Sequence, residues 1–129
     1  MKKIFILALL LVVCVFLLYK RSTQLVQNTM PADTLFVFVQ EGCGHCHAAL
    51  SYINGTVRSE NPDLKVEVLD ISDNNNMAKL YVVAKQQNWN IKRLGTPVIK
   101  LNNKAFMGWT AKSEKQLSEM IQKLPAKNP

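Results

Sequence analysis

The chain opens with an apolar run of fifteen residues, Ile4 to Leu18, that carries neither a charge nor a polar side chain. Set between Lys2-Lys3 and Lys20-Arg21, it has the charged flank and apolar core of an export signal. A full bilayer span takes roughly 20 apolar residues and a signal core runs to roughly 15, so length leaves two fates open. No small-x-small cleavage site follows, the run ends in Tyr19, and basic residues at both ends can snorkel. These features favour an uncleaved signal-anchor over residues 1–21, inserted through residues 4–19, above a cleaved signal peptide. Residues 22–33 mix polar side chains with Pro31 and keep no period, which predicts a linker.

From Thr34 the pattern becomes regular. Leu35 to Val39 is an unbroken run of branched and aromatic residues, as in a strand buried on both faces. Leu50, Ile53 and Val57 then recur at helical spacing, with Gly55 weakening the helix without breaking its pattern. Asn61-Pro62-Asp63 is a turn, and Leu64, Val66 and Val68 alternate with polar residues as a second strand. Met77, Leu80, Tyr81 and Ala84 mark a second helix, capped at Asn74 or Asn75. Residues 97–101 and 104–108 flank Asn102-Asn103, a pair suited to a tight hairpin. Ser113 and Gln116 form a capping box before the apolar face of Leu117, Met120, Ile121 and Leu124. The order is βαβαββα over residues 34–125, with 126–129 as a tail. Helical crossovers imply parallel strands, and the hairpin adds an antiparallel edge to a mixed four-stranded α/β sheet.

A chain of 129 residues, 48% apolar, has room for one compact domain and an appendage. Its net charge of +7 raises the question of nucleic acid. Four of the cations flank the apolar run, leaving 12 basic against 9 acidic residues from Ser22 onward, with no basic stripe interleaved with aromatics. No nucleic-acid partner is expected.

Of three cysteines, Cys14 lies inside the apolar run. Val13 fits poorly where a lipoprotein cleavage box needs a small residue, so Cys14 is expected to be one more apolar residue of the helix. Cys43 and Cys46 remain, two residues apart. A stapling disulfide usually joins distant segments, since closing a longer loop constrains the unfolded chain more, so a pair this close points to chemistry. Cys43-Gly44-His45-Cys46 lies where the buried strand hands over to a helix. There unpaired backbone N–H groups and the helix dipole favour a thiolate. Cys43 is the expected nucleophile. Cys46, one turn in, would resolve the mixed disulfide. Gly42 and Gly44 shape the loop, and a charged His45 would stabilise the reduced form and make the disulfide more oxidising.

With these residues in view, the chain resembles the thioredoxin superfamily over residues 34–124. Cys43-Gly44-His45-Cys46 is similar to the tetrapeptide of protein disulfide isomerase, and Gly95-Thr96-Pro97-Val98-Ile99 to the cis-proline segment that opens the third core strand. In the bacterial periplasmic isomerases that segment also commonly reads Gly-Thr-Pro. The resemblance implies a cis Pro97 beside the disulfide and substrate pairing through Thr96. Elsewhere, a trans proline opening a strand is the commoner arrangement. It further implies a domain facing the periplasm from the bacterial inner membrane, or released there if the signal is cleaved. Protein thiols or disulfides and a redox partner would be its partners, with no cofactor or resident metal and a monomeric state. Two positions depart from the family. Gly42 stands where thioredoxins carry Trp, and Val37 where they bury an aspartate that helps deprotonate the second cysteine. Glu41 is nearby and expected to be exposed, which weighs against fast reductive turnover.

Three other functions compete. Cys43-Gly44-His45-Cys46-His47 is a literal C-x-x-C-H, the attachment motif of c-type haem, with His47 and either Met107 or Met77 as axial ligands. The preceding strand and the mixed pattern count against a largely helical cytochrome. A copper or zinc carrier would use Cys43, Cys46 and His45 or His47, but lacks a second cluster to close a tetrahedral site. A non-catalytic interaction module would have no use for a cysteine in an activating position. Met77, Met107, Trp89 and Trp109 are expected to fill the core.

Overall fold

The computed structural model describes residues 1–28 and 30–125, with side chains described outside residues 22–28. The expected tail 126–129 lies outside the described residues. The chain divides into two units, the first ending at Pro31 and the second beginning at Ala32.

The first unit is helix α1, Lys2–Asn28. Its stretch Lys2–Arg21, 20 residues, is long and apolar enough to cross a membrane, since 20 residues rise roughly 30 Å. Lys20 folds its ammonium 4.9 Å from the Phe16 ring centre one turn back. Residues 22–28, expected as linker, continue the helix. Nothing between Arg21 and Asn28 breaks it, because an established helix propagates until a residue forbids it, and Pro31 is the first to do so.

In the second unit, β1 (Thr34–Val39) lies at the centre of a sheet ordered β2-β1-β3-β4, where β2 is Lys65–Asp70, β3 Val98–Leu101 and β4 Lys104–Met107. Leu35, Phe36, Val37 and Phe38 have no solvent exposure, as their unbroken apolar run predicts. Alternation sends Leu35 and Val37 to one face with Ile99 and Leu101, where they pack on Ala49, Ile53, Val57, Leu117 and Met120. Phe36 and Phe38 take the other face, for which α4 (Asn74–Gln86) supplies the buried stripe Leu80, Val83 and Ala84. Together with α2 (Gly44–Tyr52), α3 (Arg58–Glu60) and α5 (Ser113–Gln122), this is a minimal thioredoxin-like fold behind an apolar N-terminal helix.

Local expectations are revised in four places. Strand β1 pairs parallel with β2, but antiparallel pairing begins already at β3, against β1, and continues into β4. The direction of the strand after a helix is set by the end of the sheet at which the connecting link delivers it. Here residues 87–97, reaching up to roughly 35 Å when extended, carry the chain back along the sheet so that β3 starts at the end where β1 stops. Second, Val68 is exposed, since β2 is an edge strand reaching past its helical cover. Third, Asp73 caps α4, its carboxylate accepting from the backbone N–H of Asn75 at 2.7 Å and Asn76 at 3.2 Å. Fourth, α5 has no capping box: the Ser113 hydroxyl accepts from the Thr110 N–H at 2.8 Å, and Lys112 takes the cap position without a side-chain bond. At Gly55 the helix after the cysteines widens into a π turn, Ile53–Val57, keeping both end residues buried. Asn102 carries the hairpin's left-handed φ of 56°.

Lys100, 5% exposed, faces the same side of the sheet as Phe36. Its ammonium donates to the Asn102 carbonyl at 2.7 Å and lies 5.6 Å from the Phe36 ring centre. Burial pushes it below the usual lysine range. The folded state then binds fewer protons than the unfolded, so stability rises with pH between the lowered value and about 10.4. Lys100→Met is expected to stabilise the domain at neutral pH by on the order of 1 kcal/mol, an advantage that shrinks towards about pH 10. Urea unfolding of both proteins at the two pH values tests this, and a parent more stable than the variant at neutral pH refutes it.

Candidate functional site

Strand β1 ends at Val39, and the chain must turn sharply before α2 can cover the sheet. Gly42 makes that turn with a left-handed φ of 73°, which a side chain would strain. The Cys43 N–H donates to the Gln40 carbonyl at 3.3 Å, closing the turn. Cys43 is therefore the N-cap of α2, with φ −85° and ψ 106°, and its sulfur accepts the backbone N–H of Cys46 at 3.2 Å. A cap is ordinarily an oxygen acceptor, so here sulfur takes up one of the N–H groups that a helix start leaves unpaired.

Cys43 and Cys46 are in disulfide contact with their Cα atoms 5.2 Å apart. Cys46 is buried at 3% exposure and Cys43 is half-buried, so attack from outside reaches Cys43 first. His45, His47 and Gly44 are exposed. Glu41 is exposed as expected, and Val37 lies in the apolar core. No carboxylate from either position reaches Cys46.

Thr96, 53 residues further along the chain, completes the site. Its hydroxyl donates to the Cys43 sulfur at 3.4 Å, and its carbonyl oxygen lies 3.6 Å from the same atom. The Thr96–Pro97 bond is cis. Pro97 is buried, and its carbonyl accepts the Gly108 N–H at 2.8 Å. The structure thus brings Gly42, Cys43, Gly44, Cys46, Thr96 and Pro97 to one end of the sheet and leaves His45 at its rim. Met107 was expected in the core. Instead it is 36% exposed, and its sulfur accepts the Gly95 N–H at 3.1 Å. The clue in the sequence was its place at the end of a strand bordering Gly108, since Trp109, one residue on, does belong to the core.

Among the described residues no group of three or more His, Cys, Asp or Glu side chains is placed to hold a metal ion. A cavity of ≈ 660 Å³ lies at the other end of the sheet against Asp33, Glu60, Leu64, Ile121 and Leu124, away from the sulfurs. The two sulfurs and Thr96 do not line that cavity.

A thiolate formed at Cys43 on opening the disulfide would face two donors, the Cys46 N–H and the Thr96 hydroxyl. A hydrogen bond to a charged group contributes about 1.5–3 kcal/mol. Thr96→Val keeps the branched shape and removes the hydroxyl. After reduction it is expected to shift the pH dependence of Cys43 alkylation upward by about one unit. Iodoacetamide labelling across pH, read at Cys43 by mass spectrometry, measures the shift, and superimposable profiles would rule the hydroxyl out. No known protein-family model matches this chain, and no curated protein matches it either.

Proposed function

We propose that this protein is a thiol-disulfide oxidoreductase of the thioredoxin superfamily, exchanging disulfides with protein substrates outside the cytoplasm while α1 tethers it to the membrane. The observation that carries this is the position of the Cys43 sulfur. It is in disulfide contact with Cys46, accepts a helix-start N–H, and touches Thr96 next to a cis proline. In the reducing direction the Cys43 thiolate attacks one sulfur of a substrate disulfide, and the other sulfur leaves as a thiolate that takes up a proton. The Cys46 thiolate then attacks Cys43, forming the internal disulfide and releasing the second substrate sulfur. The oxidising direction is the same sequence reversed. Thr96 and Pro97 guide an extended substrate segment to Cys43, and His45 at the rim tunes the potential.

A disulfide pair and an apolar N-terminal helix support a place on the far side of a membrane, where disulfides persist. His45 between the cysteines and Val37 in place of a buried carboxylate favour an oxidase or isomerase over a fast reductase. The couple is accordingly expected nearer roughly −180 mV than roughly −270 mV, as glutathione titration will show. Cys46→Ala is expected to accumulate mixed disulfides between Cys43 and envelope proteins, visible as dithiothreitol-sensitive bands on non-reducing gels. A pair that never cycles, and a variant that traps nothing, would end this proposal. A Soret band in the purified protein would favour the C-x-x-C-H haem alternative instead.

A further inference from the structure

We propose that Met107 is a positioning residue of the dithiol site, its thioether holding Gly95 so that Thr96 stays against Cys43. This rests on the oxidoreductase function above and names a residue that the site's chemistry has so far left aside.

The segment carrying Thr96 arrives by the long link of residues 87–97, and strand pairing begins only at Val98. What fixes Thr96 must therefore come from its neighbours. Two consecutive residues at the end of β4 hold the residues on either side of it. The Met107 sulfur accepts the Gly95 N–H at 3.1 Å, and the Gly108 N–H donates to the Pro97 carbonyl at 2.8 Å. Thr96, between these two anchors, presents both its hydroxyl and its carbonyl to Cys43.

A thioether is a weak acceptor, and Met107 is too exposed for packing alone to explain its placement. The sulfur lies against the backbone at position 95, where a Cβ would sit 3.8 Å from it in ordinary van der Waals contact. The geometric consequence exceeds the strength of the bond, because freeing Gly95 removes one of the two anchors that set the distance from Thr96 to sulfur.

Full-length protein in detergent, reduced and labelled with iodoacetamide near pH 6, reports the effect at Cys43. Met107→Leu, close in volume but without an acceptor, is expected to slow labelling by about threefold to tenfold. Met107→Gln, which supplies a carbonyl acceptor, is expected to remain within a factor of about two of the parent. In a Thr96→Val background, Met107→Leu is expected to add nothing, since its influence passes through Thr96. A merely structural role would slow the leucine and glutamine variants alike and persist without the hydroxyl, and either result overturns the proposal, as does a leucine variant that labels like the parent. If the parent's disulfide never cycles, both this proposal and the function beneath it fall. If it cycles while Met107→Leu changes nothing, only the role of Met107 falls.

Discussion

A sulfur that serves in turn as nucleophile and leaving group needs a place where negative charge is stabilised without being locked into a bond. In the proposed exchange the first turn of α2 would provide this for Cys43, with the Cys46 N–H directed at its sulfur from 3.2 Å. That N–H is already in place at the sulfur with the cysteines in disulfide contact, so in the proposed exchange it would be at hand for the thiolate as well. The rigidity of this helix start derives from β1. A strand buried on both faces and paired on both edges cannot shift, and α2 is anchored to it through Ala49 and Ile53 in the core beside Leu35 and Val37. Gly42 transmits that rigidity by making the only sharp turn between strand and cap.

The second half of the site depends on the path of the chain after α4. A parallel third strand would have placed its first residue at the end of the sheet far from the cysteines. The observed path delivers β3 antiparallel to β1, pairing Val98 with Phe38 near the end of β1. That reversal is what sets Thr96 beside a residue 53 positions earlier. Topology thus does for Thr96 what the helix start does for Cys43, and the site exists where the two meet.

Much of this could be read from residues alone. The apolar run of β1, the helical spacing after the cysteines and the Asn102 hairpin each follow from a local rule, and each appears in the structure. The disulfide contact followed from spacing, and the cis bond at Pro97 from resemblance. What failed were matters decided between elements. Strand direction at β3 depends on where a long link ends, which no periodicity records. The caps of α4 and α5 differ from those expected because several polar residues compete at each start, and only the path of the preceding turn selects among them. Residues 22–28 of the expected linker are helical, since no glycine or proline interrupts the backbone there. Met107 was misjudged because solvent exposure at the end of β4 is a property of the folded edge, not of methionine.

The polar economy of the sheet bears on the direction of exchange. Where a buried carboxylate would accept the proton of the second cysteine, this chain places Val37, and Cys46 is itself 3% exposed. Cys46 is shielded from solvent while Cys43 is half-buried, so in the proposed cycle resolution by Cys46 would be slow relative to attack by Cys43. Attack is favoured by two donors and resolution by no comparable group. In that cycle the mixed disulfide would persist, and a substrate held on Cys43 would have time for another of its own thiols to displace the enzyme. Net reduction needs rapid resolution, whereas rearrangement of a wrong disulfide needs a long-lived intermediate. In the proposed function, a valine rather than a carboxylate at position 37 of the central strand is therefore an argument for isomerisation, through kinetics as much as through potential.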